Sequence, residues 1–383
     1  AYEEIAVEVT SPRHRPKGVA LLRGARIVTM KGDEVLPEGD LLVTDNRIAA
    51  GWLAAPSLLN LVNAAPAVHA EALPFLRTMF VGIMGMMMFF MLGGAFRAAG
   101  DPHTPLRLGI AMTVLTIVFN VVLIPAFGAV GAAYGTVASS SLVSVYGIWR
   151  LLRPESVIHF EPGMDRRPDF TVIRSLFKFG LPTGVQGIAM NVGGVLMLRF
   201  IGSLEHSAEA QAAYTVGYAQ LFSLITWTSV GLMGAAATIA GQNLGARNPE
   251  RAVEGVRVAS HIGLGVAAVV GSMFLLAPRY LLAGFGMTDV LVIDIGETLL
   301  RYLSVSGFFI TAALSYTGGL QGSGDTRSPL YISILSQVMI PIGICTVLEA
   351  TTGLTAEWVW TAILIGHMTR CALSVARFRQ QKW

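Results

Sequence analysis

LGIAMTVLTIVFNVVLIPAFGAVGAAYGTVASSSLVSVYGIW, from Leu108 to Trp149, runs for 42 residues without a charged side chain. A bilayer-crossing helix takes about 20 apolar residues. The stretch therefore holds two such helices, with a turn where proline and glycine cluster between Pro125 and Gly131. Further charge-free blocks cover residues 78–96, 179–198, 210–246, 258–278, 302–324 and 328–348. A last apolar segment, 358–376, is interrupted only by Arg370, which is placed either to snorkel to the interface or to face protein. The expectation is nine spans.

Composition agrees with that reading. Of 383 residues, 53% are hydrophobic and 13% charged, with a mean hydropathy of +0.61; soluble domains carry about 25% charged residues. Disorder and a collagen-like repeat are excluded, and an ordinary cytosolic enzyme is disfavoured, because so many consecutive apolar segments with short connectors leave no polar surface to dissolve the fold. The net charge of +3 forms no basic stripe of the kind that binds nucleic acid. Its distribution instead gives orientation. Loops on one side, from Arg97 to Arg107, Arg150 to Lys178, Arg247 to Arg257, at Arg327 and from Arg377 to Lys382, hold most of the Lys and Arg; the other side holds Arg77, Arg199, Arg279 and Arg301. Basic loops stay cytoplasmic, so the carboxyl terminus is expected in the cytoplasm. The polar amino-terminal stretch would then lie outside. Cys345 and Cys371 both fall in apolar segments without metal-type spacing and read as packing residues.

The chain repeats itself. An offset of 224 residues aligns Leu76-Arg77 with Leu300-Arg301, Gly94 with Gly318, Gly100-Asp101 with Gly324-Asp325, and Pro105-Leu106 with Pro329-Leu330. Six spans separate equivalent points, an even number, so the copies share one orientation, as parallel repeats do in two-lobed transporters. The second copy has three apolar segments ahead of its Leu-Arg mark that the first copy lacks. The expected organisation is a non-membrane segment at 1–53, a partial first lobe of three helices at 54–153 and a six-helix second lobe at 154–383.

Before the join, near Gly51 to Ala55, short alternating runs with turns at Gly32-Asp33 and Asp45-Asn46 read as β-strands. From Leu22 to Ile48 they resemble the opening strands of imidazolonepropionase-like amidohydrolases. The metal-binding His-x-His of that family has no counterpart here, so no hydrolase site carries over and no catalysis is expected. The segment is not expected to act as a signal peptide, since no apolar core follows its basic residues.

From about Ala54 onward, an ordered set of motifs carries a second resemblance: Arg97-Ala98-Ala99-Gly100-Asp101-Pro102-His103-Thr104-Pro105, Asn120-Val121-Val122-Leu123, Gly131-Ala132-Ala133-Tyr134-Gly135-Thr136, Gly180-Leu181-Pro182, Gly241-Gln242-Asn243-Leu244-Gly245-Ala246-Arg247, and Leu320-Gln321-Gly322-Ser323-Gly324-Asp325-Thr326-Arg327-Ser328-Pro329. In this region the chain resembles the multidrug and toxic compound extrusion family of secondary transporters. The resemblance implies an all-α membrane protein of two pseudo-symmetric lobes around a cleft. It further implies exchange of inward H⁺ or Na⁺ for an outgoing cationic or amphipathic small molecule, by a monomer with no resident cofactor. What remains here matches that family's helices four to twelve. A cleft without half of one wall is expected to transport poorly or not at all. A lipid-linked-oligosaccharide flippase with the same helix plan, and an amidohydrolase fragment merged with a transporter, are the alternatives.

Asp101 and Asp325 stand where a carboxylate can cap the next helix; Gly100 and Gly324 permit the tight turn, and Pro105 and Pro329 suit a first helical turn. These and Gln242 are read as structural motif positions. Asn120 and Thr136 match family positions near a first-lobe pocket; an amide in mid-span must face protein or a watery cavity, whereas a Thr hydroxyl can bond its own helix. Gln186, Asn191 and Tyr218 are candidates for the substrate pathway, through hydrogen bonding and ring stacking, with interhelical packing as the competing role. No carboxylate lies in a charge-free block. His261 and His367 are the remaining titratable candidates for ion coupling.

Overall fold

The computed structural model describes residues 19–28, 35–44, 56, 66–153, 156 and 169–381. They resolve into two compact units, Ala1–Met164 and Asp165–Trp383.

In the first unit, strands β1 (Val19–Val28) and β2 (Val35–Thr44) pair antiparallel, Val19 opposite Thr44 and Val28 opposite Val35, with irregular register on either side of Ala25. Three long helices follow: α1 (Pro66–Ala98), α2 (His103–Phe127) and α3 (Ala129–Leu151). The turn expected between Pro125 and Gly131 is made at Gly128, whose φ of 60° suits glycine. Helix α3 packs against both others through a buried stripe of small residues, Gly131, Ala133, Gly135, Ser139, Ser140, Val143, Ser144 and Gly147. Small side chains let helix backbones approach closely, and the approach is close: the Ser144 hydroxyl donates to the Gly85 carbonyl of α1 at 2.7 Å, and Thr116 of α2 meets Ser139 at 2.7 Å. Leu92, Phe96, Leu108 and Val143 form the buried apolar cluster at one end.

The second unit contains α4 (Phe170–Gly202), α5 (Ser207–Gly245), α6 (Pro249–Leu276), the short α7 (Pro278–Gly284), α8 (Val290–Gly322), α9 (Arg327–Thr351) and α10 (Ala356–Arg379). Asp169 and Asp289 cap α4 and α8, each carboxylate accepting from two backbone N–H groups of the first turn. Helix α8 is the axis of this unit, with 67% of its apolar window buried against 22–44% for the other spans of the unit. Gly318 and Gly322 lie against the α5 backbone at Met233 and Ala237, and Gly319 against Phe378 and Val256. Two helices widen to take an extra residue per turn, at the π-helical turns Thr215–Leu221 in α5 and Leu335–Met339 in α9.

Eight helices among the described residues are long and apolar enough to cross a membrane. The expected count of nine differs by α3. It has the length, but its glycines and serines, which let its neighbours approach, keep it below the hydropathy of the other eight.

The repeat is visible in local geometry. Gly100 and Gly324 have φ of 89° and 90°; Asp101 N–H donates to Phe96 O, and Asp325 N–H to Leu320 O, both at 2.9 Å. Each carboxylate accepts from the residue three positions on, Thr104 through N–H (3.0 Å) and Oγ1 (2.6 Å), Ser328 through N–H (3.0 Å) and Oγ (2.7 Å). Arg377 adds a partly buried ion pair to Asp325, Nη2 to Oδ2 at 2.8 Å. Pro105 and Pro329 each fall in the first turn of the helix that follows, and Gln242 in the last turn of α5.

Candidate functional site

Within the second unit a cavity of about 360 Å³ lies among α4, α5, α8, α9 and α10. Its apolar wall includes Met190, Val230, Met233, Ile310 and Leu314; its polar wall is Gln186, Asn191, Tyr218, Gln321, Gln337, His367 and Arg370. A neighbouring cavity of about 430 Å³ shares Met190, Asn191, Tyr218 and Gln337.

Local chain geometry brings these groups together. Tyr218 sits in the π turn of α5 and Gln337 in that of α9, and such bulges re-aim side chains within an otherwise regular helix. His367 and Arg370, three residues apart, share one face of α10. Immediately before them Gly366 lies against the Ser336 carbonyl of the π turn, an approach that a Cβ would block. Gln186 lies four residues after Pro182 in α4 and donates from Nε2 to Ser333 Oγ of α9 at 2.6 Å, holding those helices together.

A run of rings backs the cavity. Tyr218 stacks on Tyr214 at 5.0 Å, Tyr214 on Trp360 at 6.0 Å, and Phe222 lies between Tyr218 (5.5 Å) and His367 (5.8 Å). Stacked and offset rings of this kind make a rigid apolar wall.

The polar wall is incompletely bonded. Arg370 is 3% exposed and His367 2% exposed, yet Arg370 Nε, His367 Nδ1 and Gln337 Nε2 have no hydrogen-bond partner. Among the described residues no carboxylate lies within ion-pair distance of Arg370, and none lines the cavity. The electrostatic character of the site is therefore positive.

The sequence candidates divide between the units. Gln186, Asn191 and Tyr218 meet at this cavity, although the Asn191 amide donates to Gly187 O of its own helix at 2.9 Å. Asn120 and Thr136 belong to the first unit. Thr136 lines a small apolar cavity of about 180 Å³ and donates to Ala132 O of its own helix at 2.9 Å. The Asn120 side chain lies against Gly135, its Oδ1 without a partner. Sequence reasoning did not assign Gln321, Gln337 or Arg370 to a site. The available signal was Arg370 as the sole charge inside an apolar span, which by default marks function. Among the described residues no cluster of His, Cys, Asp or Glu could hold a metal ion.

Comparison with known proteins follows this division. The profile of the MatE family matches residues 47–122 and 182–347; the strands lie outside both segments, where the amidohydrolase resemblance gains no support. One relative is Probable multidrug resistance protein NorM of Thermotoga maritima, 23% identical over 324 residues, which are 82% of this chain and 68% of that protein. Another is Multidrug export protein MepA of Staphylococcus aureus, 24% identical over 302 residues, 78% of this chain and 65% of that protein. Across these relatives the chain spans about two thirds of their length. A solved MOP superfamily transporter from Pyrococcus furiosus superposes with a TM-score of 0.81 at 19% identity, covering 87% of this chain and 74% of that one. With most of its helices long and apolar and more than half of its residues matched by one profile, the chain is an integral membrane protein that belongs to the MatE family.

Proposed function

We propose that the chain serves secondary active export of amphipathic small molecules across a bacterial inner membrane, in exchange for H⁺ or Na⁺, with its basic loops and carboxyl terminus in the cytoplasm and α3 as the ninth span. The observation that carries the reading is the second-unit cavity. It combines apolar and aromatic walls with a few convergent polar groups, and its size falls within the roughly 300–1,000 Å³ usual for small-molecule sites. The names of the relatives, a multidrug resistance protein and a multidrug export protein, support the same class. Gln186 and Tyr218 are the groups assigned to substrate contact; Asp101, Asp325 and their glycines are assigned to the turns between helices.

Binding and coupled transport have different requirements. The second unit's own cavity suffices for binding, whereas coupling needs a group whose charge changes within the membrane. His367 is the titratable group in the cavity wall, but burial and the uncompensated cation of Arg370 on the same helix face oppose its protonation, so it is not assigned to that role. The test is export from proteoliposomes of the purified full chain under an imposed pH gradient or an imposed Na⁺ gradient. Gradient-dependent movement of a fluorescent amphiphile supports the reading; movement indifferent to both gradients overturns it.

A further inference from the structure

From the second-unit cavity we infer that it takes an oxyanion: its ligand is a small amphipathic molecule whose carboxylate, or an equivalent anionic group, is held by Arg370 together with Gln337. This rests on the transport reading only in calling the ligand a substrate.

The argument starts from charge. A guanidinium in the interior of a membrane bundle costs free energy, and leaving it there uncompensated is worse than pairing it. Arg370 is almost fully buried, faces a cavity and has no carboxylate within reach among the described residues. The basic side chains that do form ion pairs, Arg279, Arg301 and Arg377, lie elsewhere in the unit. Water could supply acceptors for the free N–H groups but carries no charge to balance the cation.

Hydrogen-bonding capacity points the same way. Arg370 Nε and Gln337 Nε2 are N–H donors, so what completes them must present acceptor oxygens. The planar guanidinium matches a carboxylate in two-point geometry. Gln321 and Tyr218 stand in the same wall. The opposite wall of Met190, Met233, Ile310 and Leu314, with the ring run behind Tyr218, fits an apolar or aromatic body. An acidic head with a ring-bearing tail fills both walls. A purely cationic molecule meets Arg370 with like charge and finds no counter-charge in the lining.

The test uses two probes that share a fluorophore and differ in charge, dansylglycine (carboxylate) and dansylcadaverine (ammonium). Their emission is read on the full chain in nanodiscs of neutral phosphatidylcholine, with empty nanodiscs as baseline. Dansylglycine is expected to bind at least about tenfold more tightly than dansylcadaverine, the scale of one charge-assisted hydrogen bond. Arg370→Gln abolishes the preference and Arg370→Lys keeps part of it. Equal binding of the two probes, a preference for the amine, or a preference untouched by Arg370→Gln overturns the inference. Should Arg370→Gln fail to fold, Gln337→Leu carries the test: weaker dansylglycine binding with dansylcadaverine unchanged supports it, and no change overturns it. Gradient-driven export of dansylcadaverine without dansylglycine binding defeats the inference and leaves the transport reading standing; carboxylate binding without gradient-driven export does the reverse.

Discussion

At the scale of single residues, the clearest division of labour is between the two kinds of buried polar group. Asp325 is saturated: it accepts from Ser328 N–H and Oγ and from Arg377 Nε and Nη2. Burial pushes its carboxyl up, but the bonds from Ser328 and the charge of Arg377 outweigh that, so it titrates below its ordinary 3.8. Asp101 is lowered as well, first by the Thr104 hydroxyl. A depressed carboxylate stabilises the fold fully above its unfolded value, and the contribution disappears as pH falls through the folded one. Asp325→Asn is therefore expected to cost about 1–3 kcal/mol at neutral pH, as a weakened hydrogen-bonded ion pair does. It should also flatten the loss of stability below about pH 4; the melting temperature in detergent across pH 3–7 checks both. Arg370 and Gln337 are the contrary kind, donors without acceptors, and their substitutions should register in ligand binding before they register in melting.

At the scale of elements, small residues decide the packing. The Gly318 Cα faces the Met233 backbone so closely that a Cβ would overlap its carbonyl, and backbone cannot rotate away as a side chain can. Gly318→Ala is expected to force α8 and α5 apart and destabilise the unit by about 1–3 kcal/mol, the range for overpacking. Alanine at Gly94, the aligned position in α1, meets nothing within 4 Å and should leave the melting temperature unchanged or slightly raised, since alanine is the better helix former. Scanning fluorimetry on both variants tests the pair. This contrast also marks how far the sequence could be read. The glycine-aspartate turns, the helix starts they control and Gln186 in α4 were legible, because turns and spans leave local signatures of residue type and spacing. The π turns at Tyr218 and Gln337 were not. An extra residue in a helix changes which face a side chain occupies without changing composition, so Gln337 looked like one more amide among apolar neighbours. Arg370 was visible as an isolated charge, but whether it met lipid headgroups or protein depends on the face of α10 that packs inward, which tertiary contacts determine.

At the scale of the whole molecule, the distribution of Lys and Arg bears on topology. Because basic loops are retained in the cytoplasm, a cysteine at Gln380 is expected to escape a membrane-impermeant maleimide in intact cells and to react once the membrane is opened, whereas one at Ser203 should react in both. Labelling in a background with Cys345 and Cys371 replaced by serine checks this; reaction of the Gln380→Cys variant from outside would reverse the orientation. The length of the charge-free blocks announced the spans, but α3 shows where length and hydropathy part company: the residues that fit it against α1 and α2 are the ones that make it less apolar. That has a bearing on biogenesis. A segment so rich in glycine and serine gains little from bare lipid, so the insertion machinery has weak grounds to release it sideways by itself. Its entry should depend on α1 and α2 already waiting at the exit, the three leaving together as a preassembled hairpin-and-partner rather than one after another.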